Sequence, residues 1–267
     1  METKHWVAAA VLIVLWLAES YLPFFLQLRS TGQRIRHDAR NLALGAINLA
    51  LGAAAVAALF VGLDLWAESN QIGLLRQWDL EEPLAVSLSL VLLDIWTYWW
   101  HRLNHIVPFL WRFHRTHHSD PAMDATTAVR FHTGEILMSW IARAAVVPLL
   151  GVSITQLACY ESLLLPVVLF HHSNLRLPRW LDFGLLAIVV TPAMHRVHHS
   201  RLVEETNSNY GSLLPWWDVV FGSLRLRRDV ENITYGVDEF ADARWQTLGG
   251  MLRTPLADNR SSVETDG

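Results

Sequence analysis

Residues 42–63 run for 22 positions without a single charge. A helix rising 1.5 Å per residue needs about 20 such residues to cross about 30 Å of hydrocarbon. In lipid every backbone N–H and C=O must find its partner inside the protein, so this stretch commits the chain to a helical membrane segment. Further segments follow the same logic. Residues 6–28 are apolar but interrupted by Glu19 and Pro23, and residues 84–100 are apolar around Asp94. Residues 136–154 and 157–170 read as two helices joined by a tight turn near Gly151. Residues 181–190 are too short to cross and read as an interfacial helix, with Arg179 and Trp180 at headgroup level. Composition agrees: 52% of residues are hydrophobic, only 17% are charged, and 13 are tryptophan, a residue that favours membrane interfaces. The net charge of −4 argues against a nucleic-acid partner. A single cysteine, Cys159, rules out an intrachain disulfide and a cysteine metal site; within a span it reads as inert.

Charge orients the spans. Residues 29–40 carry Arg29, Arg34, Arg36 and Arg40 against Asp38, whereas residues 64–82 carry five acids against Arg76. The positive-inside rule puts the first loop in the cytoplasm and the second outside. Five crossings then leave the amino terminus outside and bring residues 101–130 and 171–228 to the cytoplasmic side. The first segment could be read as a signal peptide, but Ala18-Glu19-Ser20 is a poor cleavage site and a retained anchor is expected. Arg143 and Glu161 lie nine residues either side of Val152, so an antiparallel hairpin brings them to one depth and predicts a pair. The tail from about Ala257 is polar and expected to fray. Lys4 is the sole lysine beside 20 arginines, which hints at a GC-rich genome and a bacterial inner membrane.

Of the 13 histidines, ten are clustered: His101 and His105; His114, His117 and His118; His171 and His172; His195, His198 and His199. Positions i, i+3 and i+4 share a helix face, so each triplet makes a patch, while a strand would scatter it. Isolated His5 and His37 read as structural or surface residues. Imidazole suits iron, zinc, copper and nickel. Nine well-placed histidines exceed what one ion can use and favour a dinuclear, nitrogen-rich centre. His101 and the His171–His172 pair directly follow two spans, so a centre there would cap the helix ends and could meet a lipid chain. Asp94 lies seven residues before His101 and could fix its tautomer by accepting the far ring N–H; an interhelical hydrogen bond is the equal alternative. Asn174 and Asp218 are further candidates to support the ligands. Tyr98, Trp99, Trp100 and Trp111 read as interfacial packing, and Trp216 and Trp217 beside Arg225, Arg227 and Arg228 as a membrane-facing rim.

At these residues the chain resembles the fatty acid hydroxylase / sterol desaturase superfamily of membrane di-iron enzymes. The resemblance rests on Asp94 through His105, His114 to His118, Arg130-Phe131-His132-Thr133-Gly134-Glu135, Phe170-His171-His172-Ser173-Asn174 and Thr191 through His199. It continues through Asn209-Tyr210-Gly211 and Trp217-Asp218-Val219-Val220-Phe221-Gly222, and so covers over half the chain. It implies two iron ions, although zinc suits the same ligands, and dioxygen as co-substrate. The reaction implied is hydroxylation or desaturation of a sterol or fatty-acyl type lipid. It carries the metal-ligand role to His101, His105, His114, His117, His118, His195, His198 and His199, with His172 as the extra ligand and His132 and His171 as further candidates. Thr133 stands where relatives often have proline, which leaves the roles of His132 and Glu135 open. These residues hold no cytochrome b5-like segment, so an external donor is expected, of ferredoxin or cytochrome type with its reductase.

The expected fold is all-α: a polytopic membrane helical bundle of about four to five spans with a cytosolic helical cap carrying the histidine clusters. Residues 1–83 would be anchor helices, 84–228 the catalytic domain and 229–267 a cytosolic tail. Rival functions are a zinc-dependent membrane hydrolase and a non-enzymatic metal-binding membrane protein. A catalytic zinc takes three protein ligands, and a metal carrier places its ligands near the bilayer midplane. A bis-histidine haem protein would need single histidines facing one another within the spans.

Overall fold

A computed structural model describes residues 2–26 and 30–257. The His5 side chain, residues 27–29 and the polar tail beyond Ala257 lie outside the described residues. The long helices are α1 (Glu2–Tyr21), α2 (Thr31–Ser69), α3 (Glu82–Ile106), α5 (Thr133–Leu150) and α6 (Ile154–His172). Between and after them lie α4 (Pro108–His118), α7 (Arg179–Leu185) and α8 (Pro192–His198). The single-turn helices α9 (Val203–Thr206), α10 (Trp216–Val220) and α11 (Leu248–Met251) complete the set. The described residues contain no strand, only two isolated bridges. The all-α membrane bundle expected from the sequence is what the chain adopts.

Helices α3, α5 and α6 are long and apolar enough to cross a bilayer, and α2 makes a fourth if its two halves, bent by 46° between Gly52 and Val56, count as one span. The amino-terminal apolar helix, Trp6–Tyr21, is shorter. The whole of α1 is 20 residues, about 30 Å at 1.5 Å per residue. Among the described residues, three to four helices are long and apolar enough to cross, against the five crossings expected. Helix α1 runs in the same direction as α6, because Glu19 near its end accepts a hydrogen bond from the Asn174 N–H just past the end of α6 (2.6 Å).

The α5–α6 hairpin turns at Gly151, whose φ of +75° is open to glycine at little cost. A side chain there has no room either, since its Cβ would stand 3.0 Å from the Gly73 carbonyl carbon. Ser153 and Gln156 close a capping box at the start of α6. Arg143 Nη1 donates to Glu161 Oε1 at 2.9 Å, so the two intramembrane charges pair across the hairpin as their spacing predicted. Phe60, Leu93, Val147, Leu157 and Tyr160 form the core between the spans. The expected interfacial helix is α7, seven residues long, with Trp180 and Phe183 exposed.

One end of the bundle carries the cap. Helices α4 and α8 each begin with proline at the first turn, where the missing N–H costs nothing. Residues 229–257 pack back onto them. Val230, Ile233 and Tyr235 join Met123 and Val197 in a second core. The Arg115 guanidinium donates to the Thr254 and Ala257 carbonyls at 2.6 and 2.8 Å. The start of α2 is tied to the cap as well: His37 bonds Asp120 at 2.8 Å, and Asn41 donates to Asp120 and Thr126. His37 is thus a structural residue, the first of its two readings: it lies between Asp38, Asp120 and Asp124.

Candidate metal centre

Four helices deliver histidines to one buried volume: α3 and α6 near their carboxyl ends, α4 and α8 through their triplets, the last of which, His199, caps α8. The nitrogens divide into two sets. His101, His105, His114, His118 and His198 form one; His117, His172, His195 and His199 form the other, and within each set the ligand atoms lie within 4.8 Å of one another. The triplets do not stay together. Helix α4 sends His114 and His118 to the first set and His117 to the second, while α8 sends His198 to the first and His195 and His199 to the second. Residues four apart lie nearly above one another on a helix, and the third projects to a different side.

Ring tautomers are fixed from outside the sets. Nδ1 of His101 donates to the Tyr210 carbonyl at 2.8 Å, and Nδ1 of His198 to the Ser208 carbonyl at 2.7 Å. Nδ1 of His172 donates to the Val168 carbonyl at 2.8 Å, and Nδ1 of His114 bonds Glu135 Oε1 at 2.7 Å. Each of these bonds leaves Nε2 with its lone pair directed inward. His172 Nε2 stands 3.1 Å from Nε2 of both His117 and His195.

Five of the inward nitrogens, Nε2 of His105, His114, His118, His198 and His199, are buried without a hydrogen-bond partner among the described residues. An unsatisfied buried polar group costs about 1–3 kcal/mol, so leaving several together is expensive unless a cation takes the lone pairs. Burial, and then the charge of neighbouring imidazoles, holds His117, His118, His195, His198 and His199 well below the ordinary histidine range. These rings are neutral at physiological pH, the form that binds a metal. Donor type, burial and convergence all fit a pair of nitrogen-bound ions. No carboxylate belongs to either set.

The supporting residues differ in part from the sequence reading. Asp94 does not touch His101. It accepts hydrogen bonds from Tyr160 Oη (2.9 Å), Trp217 Nε1 (2.7 Å) and the Leu214 N–H (3.2 Å), so it ties α3 to α6 and to the 213–217 segment. This is the interhelical alternative, and it takes Trp217 out of the expected membrane rim. Asp218 does support the site, at one remove. It accepts from the Tyr210 and Gly211 N–H groups, both at 2.8 Å, which aims the Tyr210 carbonyl at His101. Gly211 must be glycine here, because a Cβ would stand 2.8 Å from Asp218 Oδ2.

His132 joins neither set; it caps α5 by accepting from the Gly134 N–H and donates to the Leu252 carbonyl. His171 packs its ring 4.0 Å from that of His195 but is also outside both sets. Asn174 clips the chain after α1 by paired bonds with the Phe25 backbone. Glu135 is the carboxylate that holds a ligand-set histidine, a role the sequence left open. The Ser208 and Tyr210 carbonyls were missed, since a backbone acceptor leaves no signature in side-chain spacing. Trp111 lies with its ring 5.1 Å from His105 and 5.5 Å from His118, so it walls the first set as well as packing.

With this geometry in hand, the comparisons with known proteins are specific. A sequence model of the fatty acid hydroxylase family matches residues 86–223, which takes in every histidine of both sets. The chain belongs to the fatty acid hydroxylase family. It is 30% identical over 161 residues to human alkylglycerol monooxygenase, covering 60% of this chain and 34% of that protein. It is 32% identical over 149 residues to ornithine lipid hydroxylase OlsE of Rhizobium tropici, covering 55% and 44%. To rat cholesterol 25-hydroxylase it is 26% identical over 199 residues, covering 68% and 61%. The chain thus matches about a third to under half of the length of the first two relatives. No solved structure matches it.

Proposed function

We propose that this chain is a membrane oxidoreductase that uses dioxygen to hydroxylate or desaturate a C–H bond of a lipid, with two iron ions held by the nine histidines. The carrying observation is the division of nine imidazoles, eight of them on buried residues, into sets of five and four, each converging within 4.8 Å. A catalytic zinc with three protein ligands would leave most of these rings unexplained. The relatives' names support a lipid substrate: an alkylglycerol, an ornithine lipid and cholesterol.

His101, His105, His114, His118 and His198 would hold one ion, and His117, His172, His195 and His199 the other. Bound iron supplies the redox chemistry of dioxygen, which no side chain offers. The protein's own part is fourfold. Glu135 and the carbonyls of Val168, Ser208 and Tyr210 lock ring tautomers. Asp218 positions the 208–211 turn. Burial keeps the rings of His117, His118, His195, His198 and His199 deprotonated. A centre at the ends of α3 and α6 would lie near the bilayer surface, within reach of a lipid chain.

The arginine-rich start of α2 lies at the histidine end of the bundle, which supports a cytoplasmic cap in, for this composition, a bacterial inner membrane. Electrons would arrive from an external ferredoxin- or cytochrome-type donor. Residues 84–228 would be the catalytic unit, with 1–83 as its anchor and 229–267 as a cytosolic segment that supports the cap.

The test is metal analysis of the purified protein together with lipid profiling of cells with and without it. Two irons per chain and a lipid product that appears only with oxygen would support the proposal. A product formed without oxygen, or a fully active protein carrying no iron, would refute it.

A further inference from the structure

A second cavity lies at the same end of the bundle, away from the histidine sets. Its volume is about 380 Å³, and it opens between the start of α2 and the segment at Ala243. Arg36, Arg40 and Arg130 line it, together with His37, Gln33 and Gln246, and no carboxylate is among its lining residues. The arginines of this region are not alike. Arg34 is committed to Glu19 at 3.2 Å and to the face of Trp16. Arg36 and Arg40 form no hydrogen bond or ion pair with any described residue. They sit four positions apart on α2, hence on one side of the helix.

Arg130 is the floor. It is buried and held by four neutral acceptors: the Thr116 carbonyl, Asn41 Oδ1, Ser119 Oγ and Gln246 Oε1, at 2.8 to 3.0 Å. These fix the guanidinium plane, and buried Asp120 offsets part of its charge. Burial lowers its pKa first; Asp120 opposes that, and the like charge of Arg40 lowers it further. The carboxylates nearby already have a partner: Asp38, Asp120 and Asp124 all bond His37. Three guanidiniums thus face an open space, and Arg36 and Arg40 have no carboxylate partner among the described residues.

We propose that this cavity is a phosphate-binding site, filled by the phosphodiester of an anionic phospholipid or by free phosphate. Guanidinium forks match the spread oxygens of a phosphate, and several of them can share one. The level is right for a headgroup, since the uncharged stretch of α2 begins two residues after Arg40. Basic pockets beside transmembrane helices at the cytoplasmic face recognise such lipids. The site needs neither the iron nor lipid oxidation, so its failure would leave the proposed function standing.

The experiment uses the full chain in detergent or nanodiscs. Phosphatidylglycerol and phosphatidylcholine are compared as bound lipids by native mass spectrometry, and inorganic phosphate is titrated against chloride at matched ionic strength with thermal unfolding as readout. Preferential retention of phosphatidylglycerol, displaced by phosphate, assigns a lipid headgroup. Stabilisation by phosphate with no lipid preference assigns free phosphate. Arg36→Gln and Arg40→Gln should each weaken binding about tenfold, the scale of one charge-assisted hydrogen bond, while Arg179→Gln, on exposed α7, should not. Ligand-free unfolding temperature reports whether each variant is folded; Arg36 is exposed, so its substitution tests binding without disturbing a core. Absence of any preference for phosphate or phosphatidylglycerol would overturn the proposal. Unchanged binding in the folded double variant would do so too, leaving these arginines only the role of orienting α2.

Discussion

Replacing Glu135 by alanine should empty one metal position and spare the other. Glu135 Oε1 lies 2.7 Å from His114 Nδ1, and both side chains are almost wholly buried. A hydrogen bond involving a charged group in such a setting is worth about 1.5–3 kcal/mol. Loss of a carboxylate behind a ligating histidine lowers metal affinity about 10- to 100-fold, or about 1.4–2.7 kcal/mol, so the two scales agree. His114 belongs to the five-histidine set alone. The loss should therefore fall on one ion. Wild-type and Glu135→Ala protein would be dialysed against a graded series of chelator concentrations and their iron measured by mass spectrometry. The expected result is biphasic loss in the variant, with one ion leaving at 10- to 100-fold lower chelator. Asp94→Asn is the contrast, because Asp94 touches no histidine of either set. Equal loss of both ions in Glu135→Ala, or a wild-type profile, would refute the assignment of Glu135 to one site. A selective loss in Asp94→Asn would refute the reading of Asp94 as an interhelical tie.

Other expectations follow from the same geometry. His198→Ala and His117→Ala should each abolish lipid oxidation while the protein stays membrane-inserted, and their residual iron should sit in opposite sets; full activity in either would count heavily against the centre. Metal-free protein should lose stability on mild acidification. His117, His118, His195, His198 and His199 are held well below the ordinary value when folded. Unfolded, they protonate near pH 6.5, so the unfolded state binds more protons below that pH and stability falls by about 1 kcal/mol per histidine per pH unit, while it is full above. A flat unfolding temperature between pH 7.5 and 5.5 after chelator treatment would contradict this. For Arg143 and Glu161, with side chains 18% and 27% exposed, a double-mutant cycle with alanine should give a favourable coupling of about 0.2–1 kcal/mol. Zero coupling in steric-trapping or denaturant unfolding would mean that the pair contributes nothing to the hairpin.

Much of this protein is legible in its sequence because the constraints are local. An uncharged stretch long enough to cross lipid has to be a helix, and Arg143 and Glu161, equidistant from a turn, have to meet if the hairpin closes. Histidine spacing gives the helices of the cap and the nine rings that converge. Asp94 shows where local reasoning stops. Its position on the face of His101 is real, yet its partners, Tyr160 and Trp217, lie 66 and 123 residues away in sequence, and burial rewards whichever donors reach it first.

What the sequence determined by itself is the inventory: the spanning helices, the patches of imidazole and their common end of the bundle, all set by hydropathy and helical period. Only the tertiary structure decided how the rings are shared out. Each triplet is one patch on its own helix, and nothing in the spacing says that α4 divides two to one and α8 one to two. That partition depends on the angle at which α4 and α8 cross the ends of α3 and α6. The carbonyls of Ser208 and Tyr210 that orient two of the rings belong to the backbone of a distant turn, whose place is fixed by packing and not by any side chain a sequence displays.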